Sequence, residues 1–179
     1  MTGEPAVVVG VDGSDGARAA LHHALAEAAR RHVGLRVVVA YVPTDYWSEL
    51  FVLERPPAPP DPGPAATARA RALVDEVVAA RRTAGAPVPE AAIEVVAVGG
   101  PPVDVLVDAA ADADLLVVGH RGRGAQRGRL TGPVAIGCVL RGRCPVTVVP
   151  PGRAPRATAG RGRPPETDRT DPEQGVTSS

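Results

Sequence analysis

The segment Gly119-His120-Arg121-Gly122-Arg123-Gly124-Ala125-Gln126-Arg127-Gly128-Arg129-Leu130-Thr131-Gly132 carries five glycines and runs into a helical pattern. Glycine lets backbone N–H groups approach a ligand closely, and a helix N-terminus offers unpaired donors at the positive end of its dipole. The charges agree. No acidic residue occurs between Asp114 and Glu166, while Arg121, Arg123, Arg127, Arg129, Arg141 and Arg143 accumulate. In physical terms this is a phosphate cradle; the competing interpretation is a flexible Arg/Gly surface loop. Asp12, at the end of the first apolar run, is the second candidate. It is placed either to hydrogen-bond a ligand or to cap the first helix, although Ser14 is the better-placed cap.

The other reactive side chains carry weaker signals. His120 could contact a phosphate from inside the loop or stand exposed beside it. His22, His23 and His32 fall along the first helix with no carboxylate or cysteine at ligand spacing, as surface or interface residues do. Asp104, Asp108 and Asp112 recur every four residues, which reads as a solvated acidic helix face and not a metal site. Cys138 and Cys144 lie in apolar sequence, as buried reduced thiols do; two cysteines make neither a disulfide framework nor a four-ligand zinc site.

Composition narrows the function classes. The 179 residues, 44% of them hydrophobic, suffice for one compact domain. Twenty basic and twenty acidic residues cancel, so no global field draws the chain to nucleic acid or membrane. Every basic residue is Arg. Without Lys there is no Walker A phosphate lysine, no kinase strand lysine and no Schiff-base amine. Aromatic residues are 2% of the chain, too few for a base-stacking platform. The N-terminus lacks the basic and apolar regions of a signal peptide, and no run approaches the ~20 apolar residues of a transmembrane helix, so a cytoplasmic protein is expected.

These candidates need elements to hold them. Ala6–Val11, Leu35–Val42, Ala92–Val98, Asp114–Gly119 and Pro145–Pro150 are short apolar runs, as expected of strands buried on both faces of a parallel sheet. Between them lie helical patterns: Ala17, Leu21, Ala24, Leu25 and Ala28 behind Ser14; Leu73, Val74, Val77 and Val78; Val103, Leu106, Val107 and Ala110 behind Pro101-Pro102; and a fourth after Gly132. Pro56–Pro64, with six prolines, reads as an extended surface loop, and residues 152–179 as a disordered Arg/Gly/Pro tail. Strictly alternating strands and helices imply a doubly wound α/β sheet. Its ligands sit beyond the carboxyl ends of the strands near the topological switch point, which selects the loops after strands 1 and 4.

Three blocks at matched distances then resemble a known family. Val7–Ser14 (V-V-V-G-V-D-G-S), the Gly119-x2-Gly122-x9-Gly132 spacing and the closing Cys144-Pro145-Val146 strand are similar to a universal stress protein domain over residues 5–150, with 151–179 as the tail. Tyr46-Trp47 and the proline-rich insertion resemble actinobacterial members. The resemblance implies a five-stranded parallel, doubly wound α/β sheet of the Rossmann-like, adenine-nucleotide alpha-hydrolase-like kind, with helices on both faces. It also implies ATP or another adenine nucleotide at the switch point, Mg2+ as a companion ion, and a homodimer through the last strand. The contacts carried over are Gly10 and Asp12 after strand 1, Ala40 for the adenine edge, Gly119, Arg121, Gly122, Gly124 and Gly132 around the phosphates, and Val134 at the helix start.

One position departs from the pattern. ATP-binding members have Ser or Thr after the third motif glycine; this chain has Pro133, which brings neither hydroxyl nor N–H. Thr131, the amides of Val134 and Ala135, and Arg121, Arg123 or Arg127 are candidates to compensate. A dehydrogenase does not fit, because Gly10-x-x-Gly13-x-x-Gly16 is not G-x-G-x-x-G and no acid ends strand 2. A hydrolase lacks its nucleophile elbow and a placeable triad, so beyond slow ATP hydrolysis no enzyme is expected. Two functions remain: a regulatory module that senses nucleotide and signals through a dimer, favoured by the three retained glycines, and a nucleotide-independent interaction protein, favoured by Pro133.

Overall fold

The computed structural model describes residues 6–43, 60–122 and 131–150. Five parallel strands form one sheet: β1 (Ala6–Gly10), β2 (Gly34–Tyr41), β3 (Ile93–Gly99), β4 (Leu115–Gly119) and β5 (Val146–Val149). Four helices connect them: α1 (Asp15–Arg31), α2 (Gly63–Thr83), α3 (Pro102–Ala109) and α4 (Pro133–Arg141). The spatial order β3-β2-β1-β4-β5 reverses direction between β1 and β4. The expected doubly wound α/β sheet is therefore present, with its switch point at the two strands the sequence selects.

The continuous apolar runs of β1 and β4 are explained by burial on both faces, whereas β3 and β5, at the edges of the sheet, are mostly partly buried or exposed and do not meet that expectation. Side chains alternate across a strand. Val7, Val9, Val37, Leu115 and Val117 enter one core with Leu21 and Leu25 of α1 and Val74 and Val77 of α2. Val8, Val38, Leu116 and Val118 enter the other with Val105 and Leu106 of α3 and Cys138 of α4. Small Ala17, Ala20, Ala24 and Ala28 bring α1 close to the sheet, and all are buried. Cys138 is buried and Cys144 partly so, both as free thiols, and burial pushes both thiols up in pKa.

Two local expectations need correction. The proline-rich stretch does not remain a loop as far as Pro64: α2 already starts at Gly63. Proline is tolerated in a first helical turn, where its missing N–H costs nothing. The Asp61 carboxylate accepts the Gly63 N–H at 2.9 Å and nucleates the entry. The acidic helix face is also shorter than expected: α3 ends at Ala109, so Asp112 lies beyond the helix. Asp108 and Asp112 are exposed as expected, and Asp104, its side chain 45% exposed, pairs with Arg141 of α4 at 2.6 Å. The proline stretch up to Pro59, Tyr46-Trp47, Gly124, Arg123, Arg127, Arg129 and the tail lie outside the described residues.

Candidate functional site

The carboxyl ends of β1 and β4 are held together by the start of α1. Ser14 is the N-cap, its hydroxyl accepting the Ala17 N–H at 3.2 Å, and it also reaches Arg121 O at 3.4 Å. Asp12 supports this turn from outside: its Oδ1 accepts the Ser14 N–H at 3.0 Å while Gly13 takes a left-handed φ of 78°. Asp12 thus has the local role of an Asx turn as well as a place in the site, and the two readings of it are compatible.

The loop leaving β4 passes directly over this helix start. A β-carbon on Gly119 would lie 2.6 Å from the backbone of Gly16, and one on Gly16 would collide with Arg121 O. A β-carbon on Gly122 would meet only the Asp12 carboxylate, a side chain. The three motif glycines are therefore not equivalent. Gly119 is required by backbone packing with or without a ligand, so its retention no longer argues for an occupied site. Gly16, which makes that approach possible, was not among the expected residues; a glycine one position into a helix was the available signal.

Across the switch point lies α4. Gly132 is its N-cap and donates its N–H to His120 O at 2.8 Å, and the His120 N–H donates to Val149 O of β5 at 2.7 Å. His120 thus ties the edge strand to the helix start through its main chain, and its side chain is not part of the site lining. Pro133 occupies N1, where it fits the helix without strain.

Between these elements is a pocket of about 250 Å³. Gly10, Asp12, Ala40, Gly119, Arg121, Gly122, Gly132 and Val134 all line it, so every expected site residue within the described segments converges there. Sequence reasoning missed its apolar walls, Ala17, Val38, Pro102, Leu106 and Val118. Thr131, a candidate to replace the missing hydroxyl, is not in the lining. The chemistry is an apolar slot bordered by Asp12, Arg121 and a helix start, the usual make-up of a small-molecule site. Among the described residues no group of three metal-ligating side chains occurs.

Comparison with known proteins identifies the family. The model of the universal stress protein family matches residues 5–150. The chain belongs to that family. A universal stress protein of Mycobacterium tuberculosis is 38% identical over 144 residues, which is 79% of this chain and 44% of that protein. A second from the same organism is 35% identical over 158 residues, 84% of this chain and 50% of its own. The chain thus spans about half the length of the curated relatives it matches. Among solved structures, a universal stress protein in complex with cAMP has a TM-score of 0.56 at 30% identity, covering 83% of this chain and 98% of its own. The universal stress protein of Archaeoglobus fulgidus in complex with dAMP has a TM-score of 0.51 at 27% identity, over 83% and 99%. The Rossmann-like fold of the family is the fold observed here.

Proposed function

We propose that this universal stress protein is a regulatory module that binds an adenine nucleotide in the pocket between β1, β4 and α4. The observation that carries the reading is convergence. Residues chosen from three separate segments, the end of β1, Ala40 of β2 and the stretch from Gly119 to Val134, line one pocket at the switch point of the sheet. Adenine nucleotides in the cAMP and dAMP complexes of similar proteins support the ligand class. The apolar walls formed by Val38, Ala40 and Leu106 suit a base, and Arg121 with the first amides of α4 suits a phosphate. For ATP, the nucleotide implied by the resemblance, Pro133 removes the hydroxyl and N–H that Ser or Thr would bring at that position.

The output is a homodimer through β5, acting in the cytoplasm. β5 pairs with β4 on one side only, and an apolar edge strand calls for a cover. Beside it, α4 exposes Ile136, Val139 and Leu140, the last 78% exposed. The hydrogen bonds of His120 to Val149 and from Gly132 give the pocket a main-chain route to that edge. No catalysis is assigned to the module.

Calorimetric titration of the whole chain with AMP tests the binding, beside Gly122→Ala, whose new methyl group displaces only the Asp12 side chain. Binding by the natural chain and its loss in the variant are expected. The nucleotide-independent reading, which Pro133 and the packing role of Gly119 favour, requires no binding by either.

A further inference from the structure

We propose that Arg153 and Arg156, which follow β5, pair with the phosphate of a nucleotide held in the pocket, so that the stretch after Pro150 completes the ligand's binding site. This rests on the adenine-nucleotide reading of the same pocket and goes beyond it by assigning phosphate-binding residues outside the α/β sheet.

The chain leaves the sheet beside the pocket. β5 runs parallel to β4, and its last residue, Val149, stands opposite Gly119. Gly119 lines the pocket, and neighbouring strands lie about 5 Å apart. The main chain reinforces this placement. The His120 N–H donates to Val149 O at 2.7 Å, and His120 O accepts the Gly132 N–H, at the start of α4, at 2.8 Å. An extended chain advances at most about 3.5 Å per residue. Arg153, four residues past Val149, therefore stays within about 14 Å of it, and Arg156 within about 25 Å. Tethered this close, their guanidinium groups meet a phosphate in the pocket at an effective concentration on the order of millimolar.

The charge pattern works in the same direction. No acidic residue occurs between Asp114 and Glu166, so β4, α4 and β5, the elements around this exit, offer the segment no carboxylate. Arg153, Arg156, Arg161 and Arg163 all precede the first acid of the tail. Where an arginine of α4 does have a carboxylate within reach, it takes it: Arg141 pairs with Asp104 of α3 at 2.6 Å. A guanidinium matches two phosphate oxygens with two parallel N–H bonds, a geometry that an ammonium group does not reproduce. The competing carboxylate is Asp12, in the pocket lining on the β1 side. Arginines drawn to Asp12 would act on any ligand of the pocket, whereas arginines drawn to phosphate act only on a ligand that carries one.

The test is a calorimetric titration of the full chain with AMP and with adenosine. Beside it stand the double variants Arg153→Gln/Arg156→Gln and Arg153→Lys/Arg156→Lys. A control, Arg36→Gln/Arg82→Gln, removes two charges from early β2 and the last turn of α2, toward the other end of the sheet. The Gln pair is expected to weaken AMP about ten-fold, the worth of a charge-assisted hydrogen bond, and to leave adenosine unchanged. The Lys pair should recover part of the loss, and the control should bind both ligands as the natural chain does. Raising salt from about 0.05 to 0.5 M should narrow the gap between the natural chain and the Gln pair. AMP affinity unmoved by the Gln pair, AMP and adenosine weakened alike, or a control that loses as much overturns the proposal while leaving adenine-nucleotide binding in place. Failure of the natural chain to bind either ligand overturns the parent reading as well.

Discussion

Gly16 and Gly119 meet backbone to backbone: a β-carbon on Gly119 would stand 2.6 Å from both the carbonyl carbon and oxygen of Gly16. One contact thus seats the N-terminus of α1 against the end of β4, and the site is assembled around it. Neither partner can yield by rotating a side chain. Gly119→Ala should therefore destabilise the fold by about 3 kcal/mol, the upper range of overpacking costs. Gly122→Ala should cost about 0.5 kcal/mol or less, as a substitution whose neighbour is a mobile carboxylate. Urea denaturation of the two variants separates them; equal losses would contradict the distinction between a packing glycine and a ligand glycine.

Ser14 caps α1 and reaches Arg121 O across the site. Ser14→Ala is expected to lower stability by about 1 kcal/mol, while Ser14→Asp, which keeps an acceptor, recovers most of it. Thermal melts of the three proteins check this.

Arg81 is buried behind the sheet, where its guanidinium donates to Pro87 O at 3.0 and 2.7 Å and to His22 O at 3.0 Å. Arg81→Met keeps much of the volume but strands two carbonyls. A loss of about 1.5–3 kcal/mol is expected by denaturant titration.

Burial, and then Arg81 and Arg18, push the His22 pKa below its usual 6.5. The folded state thus binds fewer protons than the unfolded state as pH falls through 6.5. Stability is full above that pH and declines below it, until the folded pKa is passed. A melting series from pH 7.5 to 5 should show this decline, and His22→Gln should flatten it. Glu27 acts further down the scale: hydrogen bonds from Arg30 and Arg31 hold its carboxyl near about 2, so its contribution fades only as pH falls from 4.5 toward that value.

Leu140 and Val139 stand exposed beside the open edge of β5. If the dimer forms there, Leu140→Glu places a charge in the interface and should convert the protein to monomer in sedimentation velocity at tens of micromolar. A natural chain already monomeric at that concentration would contradict the dimer.

Much of the fold was legible because a doubly wound sheet writes itself plainly. Both faces of β1 and β4 are buried, so Val7–Val9 and Leu115–Val118 read as unbroken apolar runs, and the helices between them keep their 3.6-residue spacing. The pocket was legible for the related reason that topology, and not any one side chain, decides where strand ends meet. Residues whose role depends on a distant backbone were not legible. Gly16 looks like any glycine near a helix start until Gly119 is laid against it. Arg81 looks like a surface arginine on α2, because nothing local reveals that Pro87 and His22 turn carbonyls toward it. The start of α2 was hidden because proline serves equally in loops and in first helical turns, and only the Asp61 bond to Gly63 decides between them.

The most direct test of the central claim is amide chemical-shift mapping of the whole, isotope-labelled chain during titration with AMP. Saturable shifts should gather on Gly10, Ala40, Gly119, Val134 and Ala135, while Gly34 and Asp108 at the opposite end of the sheet stay still. An unchanged spectrum at millimolar AMP, or shifts gathered at that opposite end, would contradict an adenine-nucleotide site between β1, β4 and α4.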